Sequence, residues 1–501
     1  MTTNKLRLTA AATVLLSGLA VSACNVTDLE PASSLTSSQF YKTQDDARAA
    51  VIAIYSRLTD GDFLVRQYYW GEARADQTSP AVWWGQDPEV QLAKRQEHNA
   101  NNQLADWSPA YSAIQRCNDA LKGIETIPTD VTFPVPTKDA LLGEVATLRA
   151  WCYLNLVRTF GGVPLVLEPS DGVNKDYLVS QATEAEVLDQ IEKDLNYAIG
   201  KMPRPAQSAD ARRRATRGAA KALLVHTKLW RNDYKGAADV ATDLIANEGY
   251  ALQPTASYMD QFWNQGGTNE IIFTLGYDQL KFNPVIGKMN SEGGSFGVTP
   301  AGAWMSKYRA AGEPVRGNTR TFLDLGQGDG AGYVMKYMGN PGANPTGPIW
   351  GLNFIVAAHI PRDFAVLRLA DIHLLRAEAR NRLGDRAGAL ADLNLIRQRA
   401  NMAVYAAPDL NTLEKMEDAI LAERDIELAF EGQRWYDIVR IGRHGRDEVV
   451  LTQATNLLAG EAKTRAQNFL KNQKAAGSWL MPVNQRNLLN NRNLKQLDAY
   501  K

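Results

Sequence analysis

Apolar side chains recur along most of this chain at the spacing of a helix with one buried face. In "TQDDARAAVIAIYSRL", Ala47, Val51, Ile54 and Leu58 fall at i, i+4, i+7 and i+11. Thr43 stands ready to cap that helix, with Asp46 placed to complete a capping box. A second helix is predicted from about Trp107 to Ile124, with Tyr111, Ile114, Cys117 and Leu121 on one side. "EVATLRAWCYLNLVRTF" is amphipathic and stops at Gly161–Gly162, with Pro164 beyond. "EAEVLDQIEKDLNYAIGKM" follows, with Leu188, Ile191, Leu195 and Ile199 spaced as a buried stripe.

Part of this pattern repeats. "GAAKALLVHTKLWRNDYKGAADVATDLI" aligns with "ADIHLLRAEARNRLGDRAGALADLNLIR", residue 218 falling on 370, a shift of 152. Asp233, Gly236 and Ala237 then match Asp385, Gly388 and Ala389. Each copy reads as helix, short Asp/Gly turn, helix, the plan of a tetratricopeptide unit. The Gly143–Met202 region reads as a third helical pair. Such units cannot bury their faces alone and must stack. The expected fold is therefore all-α: tetratricopeptide-like repeats forming a superhelical scaffold, with a loop-rich face and a few short strands.

Two stretches break the helical pattern. From about Glu248 to Pro361 the chain is rich in Gly, Asn and Pro, with only short strands such as "EIIFTLGY". That is too long for an ordinary connector. Gly61 to Glu97 is predicted as a second loop. Long loops on a rigid scaffold are where binding residues concentrate.

Composition narrows the chemistry. The 501 residues carry 55 basic and 55 acidic side chains, so nothing favours nucleic acid. The first residues, "MTTNKLRLTAAATVLLSGLAVSAC", have Lys5 and Arg7, then an apolar run too short to span a membrane comfortably. This is the pattern of an export signal. "VSAC" resembles a bacterial lipobox, which implies cleavage before Cys24 and lipidation of that residue. Cys117 and Cys152 can pair in an exported protein or remain as buried thiols. No CxxC occurs, and His98, His226, His359, His373 and His444 are scattered, so no metal or cofactor is expected. His226 and His373 read as packing residues within the repeat helices.

No hydrolase elbow, zinc-protease motif or phosphate-binding Gly–Lys loop occurs. Aromatics in or beside the two loops are the remaining candidates: Trp70, Trp83 and Trp84 in the first, Trp263, Trp304, Tyr308 and Trp350 in the second. The apolar C–H face of a sugar ring stacks on an aromatic ring, while its hydroxyls need polar partners. The adjacent pair Trp83–Trp84 stands out, because neighbouring loop indoles do not easily both point inward.

"ERDIELAFEGQRWYDIVR", Glu423 to Arg440, raises the competing reading. Glu423, Glu427 and Glu431 share a helical face, and paired carboxylates such as Glu427 and Glu431 would suit a secreted glycoside hydrolase. Yet i, i+4 residues on one helix seldom flank a sugar bond from both sides. The stretch reads better as a helix–Gly–helix corner turning at Gly432. Ala422, Ile426 and Ala429 form its apolar face. Its carboxylates are expected on arginines three residues away, as Arg424–Glu427, Glu431–Arg434, Arg434–Asp437 and Asp437–Arg440.

Five segments together resemble the RagB/SusD family of surface lipoproteins. They are "WSPAYSAIQRCNDAL", "GEVATLRAWCYLNLVRTFGGVPLV", "VLRLADIHLLRAEARNRLG", "ERDIELAFEGQRWYDIVR" and the closing "LMPVNQRNLLNNRNLKQLDAY". The last departs from the family pattern at Gln485 and at Leu497–Asp498–Ala499. The resemblance implies a signal peptide over 1–23, an N-terminal helical region over 24–254 and a C-terminal region with long binding loops over 255–501. It also implies a non-catalytic protein on the outer membrane that captures oligosaccharide, or peptide, for a SusC-like TonB-dependent transporter. Trp83 lies about where the starch-binding member of the family places an aromatic.

Overall fold

The computed structural model describes residues 37–80, 88–170, 178–290, 298–324, 332–338 and 361–501. Helices of eight or more residues are numbered in chain order: α1 (Gln44–Leu58), α2 (Gly61–Glu72), α3 (Ser108–Thr126), α4 (Val135–Phe160), α5 (Glu184–Lys201), α6 (Arg217–Trp230), α7 (Tyr234–Asn247), α8 (Gly302–Ala310), α9 (Leu369–Arg382), α10 (Arg386–Arg399), α11 (Leu413–Glu427), α12 (Arg434–Arg443), α13 (Asp447–Ala454) and α14 (Gly460–Asn472). The short strands are β1 (Thr78–Pro80), β2 (Ile271–Leu275), β3 (Val298–Pro300), β4 (Phe322–Asp324), β5 (Gly332–Val334) and β6 (Phe364–Arg368).

The α1 capping box forms as its sequence predicts. The Asp46 amide donates to Thr43 Oγ1 at 3.3 Å, and the Thr43 amide donates to Asp46 Oδ2 at 2.8 Å. Thr183 and Glu186 build a second box at the start of α5. The two repeat copies match to the residue: α6–α7 and α9–α10 have boundaries related by the same shift of 152. Asp233 and Asp385 cap the second helix of each copy with nearly equal backbone angles, φ −82°, ψ 74° and φ −79°, ψ 71°. Each accepts from a glycine amide at 2.9 Å, Gly236 and Gly388. A Cβ on Gly236 would sit 2.4 Å from the Asp233 carboxylate, and one on Gly388 2.2 Å from that of Asp385. Glycine at this position therefore follows from the cap.

The helices stack in sequence: α4 on α3 and α5, α6 on α5 and α7, α7 on α9, and α9 on α10 and α11. Polar ties cross these layers. His226 of α6 meets Asp371 of α9 at 2.7 Å, and His373 meets Asp392 at 3.1 Å. Both histidines are thus paired packing residues. Cys117 and Cys152 are buried free thiols, with no disulfide between them.

Gly61 to Glu97 is not the continuous loop its sequence suggests. It holds α2 and a short helix, Pro88–Lys94. Phe63, Leu64 and every residue from Gln67 to Glu72 are buried. A helix packed nearly all round shows no single apolar stripe, which hides it from a periodicity reading.

Strand β2 pairs antiparallel with β6 through a register irregularity. One core cluster runs from Ala47 to Val483. Residues 478–500 close onto the amino-terminal region. The Arg74 guanidinium donates to the carbonyls of Ser478 (2.7 Å), Trp479 (2.8 Å) and Leu480 (3.2 Å). Tyr500 Oη donates to the Leu480 carbonyl at 2.5 Å and lies 2.8 Å from His98 Nε2.

Candidate ligand-binding face

Two antiparallel pairs form a small β platform beside α8. In the first, Thr78 pairs with Pro300, Ser79 with Thr299 and Pro80 with Val298. In the second, Phe322 pairs with Val334 and Asp324 with Gly332. Strand β3 packs against β5 and leads directly into α8. The paired residues Pro80 and Val298 mark where the sequence continues into 81–87 and returns from 291–297. Asp324 and Gly332 likewise bound 325–331. Trp83, Trp84 and Trp350 lie outside the described residues, as does Cys24.

The other predicted aromatics are inside the protein. Trp70 sits on α2, 3% exposed, its Nε1 donating to the Leu104 carbonyl at 2.6 Å. Its ring packs edge-on against Phe160 at 5.2 Å. Trp304 and Tyr308 sit on α8, 4% and 5% exposed. The Trp304 ring is enclosed by Tyr308, Phe322 and Phe430 at 4.9, 5.2 and 5.1 Å. None of the three offers an open face for stacking, so they hold the platform rather than present it to a ligand. Trp263 is half-buried at the end of a short helix.

Asp425 is the hub beneath the platform, and reading the sequence for carboxylates at four-residue spacing missed it. Its carboxylate accepts from Gln77 Nε2 (2.9 Å), Trp304 Nε1 (3.0 Å), Lys307 Nζ (2.8 Å) and Tyr308 Oη (2.5 Å). Burial alone would raise this carboxyl; the Arg434 and Lys307 charges and the hydrogen bonds outweigh it and hold it well below the usual carboxylate range. Asp425 lies two residues from both Glu423 and Glu427, on the other side of α11. Nothing in the local pattern identifies partners that arrive from α8 and from the residue preceding β1.

The charged stretch that raised the hydrolase reading is sealed. It forms α11, a turn with Phe430 at φ 63° and Gly432 at φ 74°, and α12, the expected corner. Its pairing differs from the expected three-residue spacing. Only Asp437–Arg440 forms among those four pairs in the described residues, at 2.8 Å. Ala422 is exposed rather than part of the apolar face, while Ile426 and Ala429 are buried. Glu427, 0% exposed, contacts Arg316 at 2.9 Å, Arg368 at 2.5 Å and also Arg399. Glu431 binds Lys336 at 2.7 Å and Arg368 at 2.8 Å. Arg434 reaches Asp76 at 2.8 Å, and Arg424 reaches Asp371 and Asp437, each at 2.8 Å. Burial pushes the Glu427 carboxyl up, and Arg399, Arg368 and Arg316 more than reverse that. Glu427 and Glu431 are thus ion-paired in the interior and cannot flank a glycosidic bond.

These features define an all-α, tetratricopeptide-like scaffold that carries a small strand platform. A family model described as "SusD family" matches residues 357–500, and one described as "Starch-binding associating with outer membrane" matches residues 62–229. The chain belongs to the SusD/RagB family. It is 27% identical over 456 residues to SusD-like protein P38 of Formosa agariphila, covering 84% of this chain and 88% of that one. A SusD-like protein of Bacteroides ovatus is 26% identical over 471 residues, covering 84% and 80%. The fold matches the crystal structure of a SusD superfamily protein from Bacteroides vulgatus with a TM-score of 0.73 at 20% identity, over 92% of this chain and 100% of that one. A laminarin-binding SusD-like protein superposes with a TM-score of 0.71 at 23% identity, over 92% and 100%. No helix among the described residues is long and apolar enough to cross a membrane.

Proposed function

We propose that this chain is a lipid-anchored protein of the outer-membrane surface that captures an oligosaccharide and delivers it to a SusC-like TonB-dependent transporter. Cys24 carries the lipid. Several acyl chains on one residue hold a protein firmly, whereas one alone binds only marginally. Residues 1–23 serve as signal peptide, 24–254 supply the amino-terminal helical region, and 255–501 supply the carboxy-terminal region with its long loops. The observation that carries the reading is the pairing of Pro80 with Val298. It ties the start of the segment containing Trp83 and Trp84 to a buried, ion-paired platform. A rigid base lowers the ordering cost of binding. A neighbour of the same fold binds laminarin, which fits capture of a glycan here. Trp350 is the further candidate contact.

The test is calorimetric titration of the mature chain with a panel of neutral and acidic oligosaccharides and peptides. Binding to a glycan, weakened roughly tenfold or more by Trp83→Ala with Trp84→Ala, is the expected result. Binding to no glycan, or to one with affinity untouched by the double substitution, sinks the assignment of this face. Failure to co-purify with a SusC-like transporter sinks the delivery step.

A further inference from the structure

A cleft of about 180 Å³ opens elsewhere in the fold. It lies between Trp107 and Tyr111 at the start of α3, Pro164, Val166 and Val179 in the α4–α5 connection, and residues 487–494. It shares no residue with β1, β3, β4, β5 or α8. Two aromatics, proline, two valines and Leu494 supply its apolar lining, and Asn487, Asn490 and Asn491 its polar lining. Among the described residues no charged side chain lines it. A cleft below the usual size of a drug-like pocket suits one ring rather than a chain.

The polar groups are fixed but not used up. Tyr111 Oη donates to the Pro164 carbonyl at 2.6 Å. Asn491 Nδ2 donates to the Val179 carbonyl at 2.8 Å, and its Oδ1 accepts from the Asn493 amide at 3.0 Å. Asn487 Oδ1 accepts from Ser108 Oγ at 3.2 Å, and its Nδ2 lies 3.5 Å from Asp106 Oδ1. A carboxamide nitrogen has two hydrogens, so Asn487 and Asn491 each keep one to donate, and the Tyr111 oxygen can still accept. These bonds set the amides in place before any ligand arrives, which reduces the ordering cost. Trp107 is as buried as Trp304, so the half-buried Tyr111 ring is the surface for a sugar's C–H face, and the spare donors and acceptors of the carboxamides match its hydroxyl edge. Among the described lining residues a charged ligand would find no counter-charge to replace its hydration.

We propose that this cleft is a second carbohydrate site, taking a single neutral sugar ring and acting independently of the segment that holds Trp83 and Trp84. The test is saturation-transfer NMR on the mature chain with D-glucose, D-galactose, D-mannose and a proline-containing tripeptide. Two substitutions probe the cleft: exposed Asn490→Ala, and Leu494→Trp to fill it. The expected result is transfer to at least one sugar that is weakened about two- to tenfold by Asn490→Ala, abolished by Leu494→Trp, and retained in the Trp83→Ala, Trp84→Ala chain. No transfer to any sugar, transfer that survives both cleft substitutions, or transfer only to the tripeptide overturns it. Loss in the Trp83, Trp84 variant alone also overturns it and assigns the signal to the other face. A thermal melt of each variant confirms that it is folded.

Discussion

Glu427 and Glu72 are both fully buried carboxyls, and their surroundings drive them in opposite directions. Glu427 stays ionised among three arginines. Replacing it with glutamine leaves Arg316, Arg368 and Arg399 short of charge, and Glu427→Gln is expected to lose about 3–5 kcal/mol in urea unfolding. Glu72 accepts from the Gly432 amide at 2.8 Å, yet burial outweighs that bond and the Arg434 and Lys94 charges and raises it to about 8. The folded state therefore holds a proton that the unfolded chain releases near 4.5. Stability from this group is complete below about pH 4.5 and is lost as pH rises through about 8. Glu72→Gln keeps the acceptor and removes the titration. The variant should gain on wild type by a few kcal/mol, on the order of 3, between about pH 5 and pH 9. Equal slopes of unfolding free energy against pH in the two proteins would refute this. Glu378 titrates the other way. Burial raises it, but Arg440 at 2.7 and 2.8 Å overcompensates and lowers it to about 2. Its contribution is present above about pH 4.5 and disappears as the solution is acidified toward pH 2.

At the scale of single elements, the repeat gives an internal control. Asp233→Ala and Asp385→Ala remove caps of nearly the same geometry, so each should cost about 1 kcal/mol. Denaturation midpoints that differ widely would mean the copies are not mechanically equivalent. Much at this scale was legible beforehand. Periodicity, Gly161–Gly162 and the Asp/Gly turns marked the helices, because those signals act within one or two turns of the chain. Helix α2 was not legible, since burial on nearly all sides erases the stripe. Trp70 falls within that unrecognised helix; Trp304 and Tyr308 lie on α8, which does bury one face, but its nine residues stand in a Gly/Asn/Pro-rich stretch that reads as loop, so they count there as loop candidates. The corner at Gly432 was legible from its glycine, but its ion pairs were not. The three-residue rule applies to a helix surface with only its own side chains to choose from, whereas Glu427 is reached by arginines at 316, 368 and 399.

For the whole molecule, the proposed anchoring at Cys24 makes a separable prediction. Cys24→Ala should move the protein from the detergent phase to the aqueous phase in Triton X-114 partitioning, with glycan binding unchanged. Retention in the detergent phase would mean that something other than Cys24 holds it. The platform, the corner and the amino-terminal helices draw on distant parts of the chain, so the face as a whole could not be assembled from local pattern. The contacts of Arg74 have a consequence in time. This arginine leaves the ribosome 404 residues ahead of Ser478, whose carbonyl it requires. Until residues 478–500 are made, a guanidinium meant for the interior has no carbonyl there to receive it, and the amino-terminal helices cannot finish packing. Closure of the amino-terminal region around Arg74 therefore waits for that segment. A version lacking residues 478–501 should show no cooperative melt, and a sharp one would mean that closure does not wait for that segment.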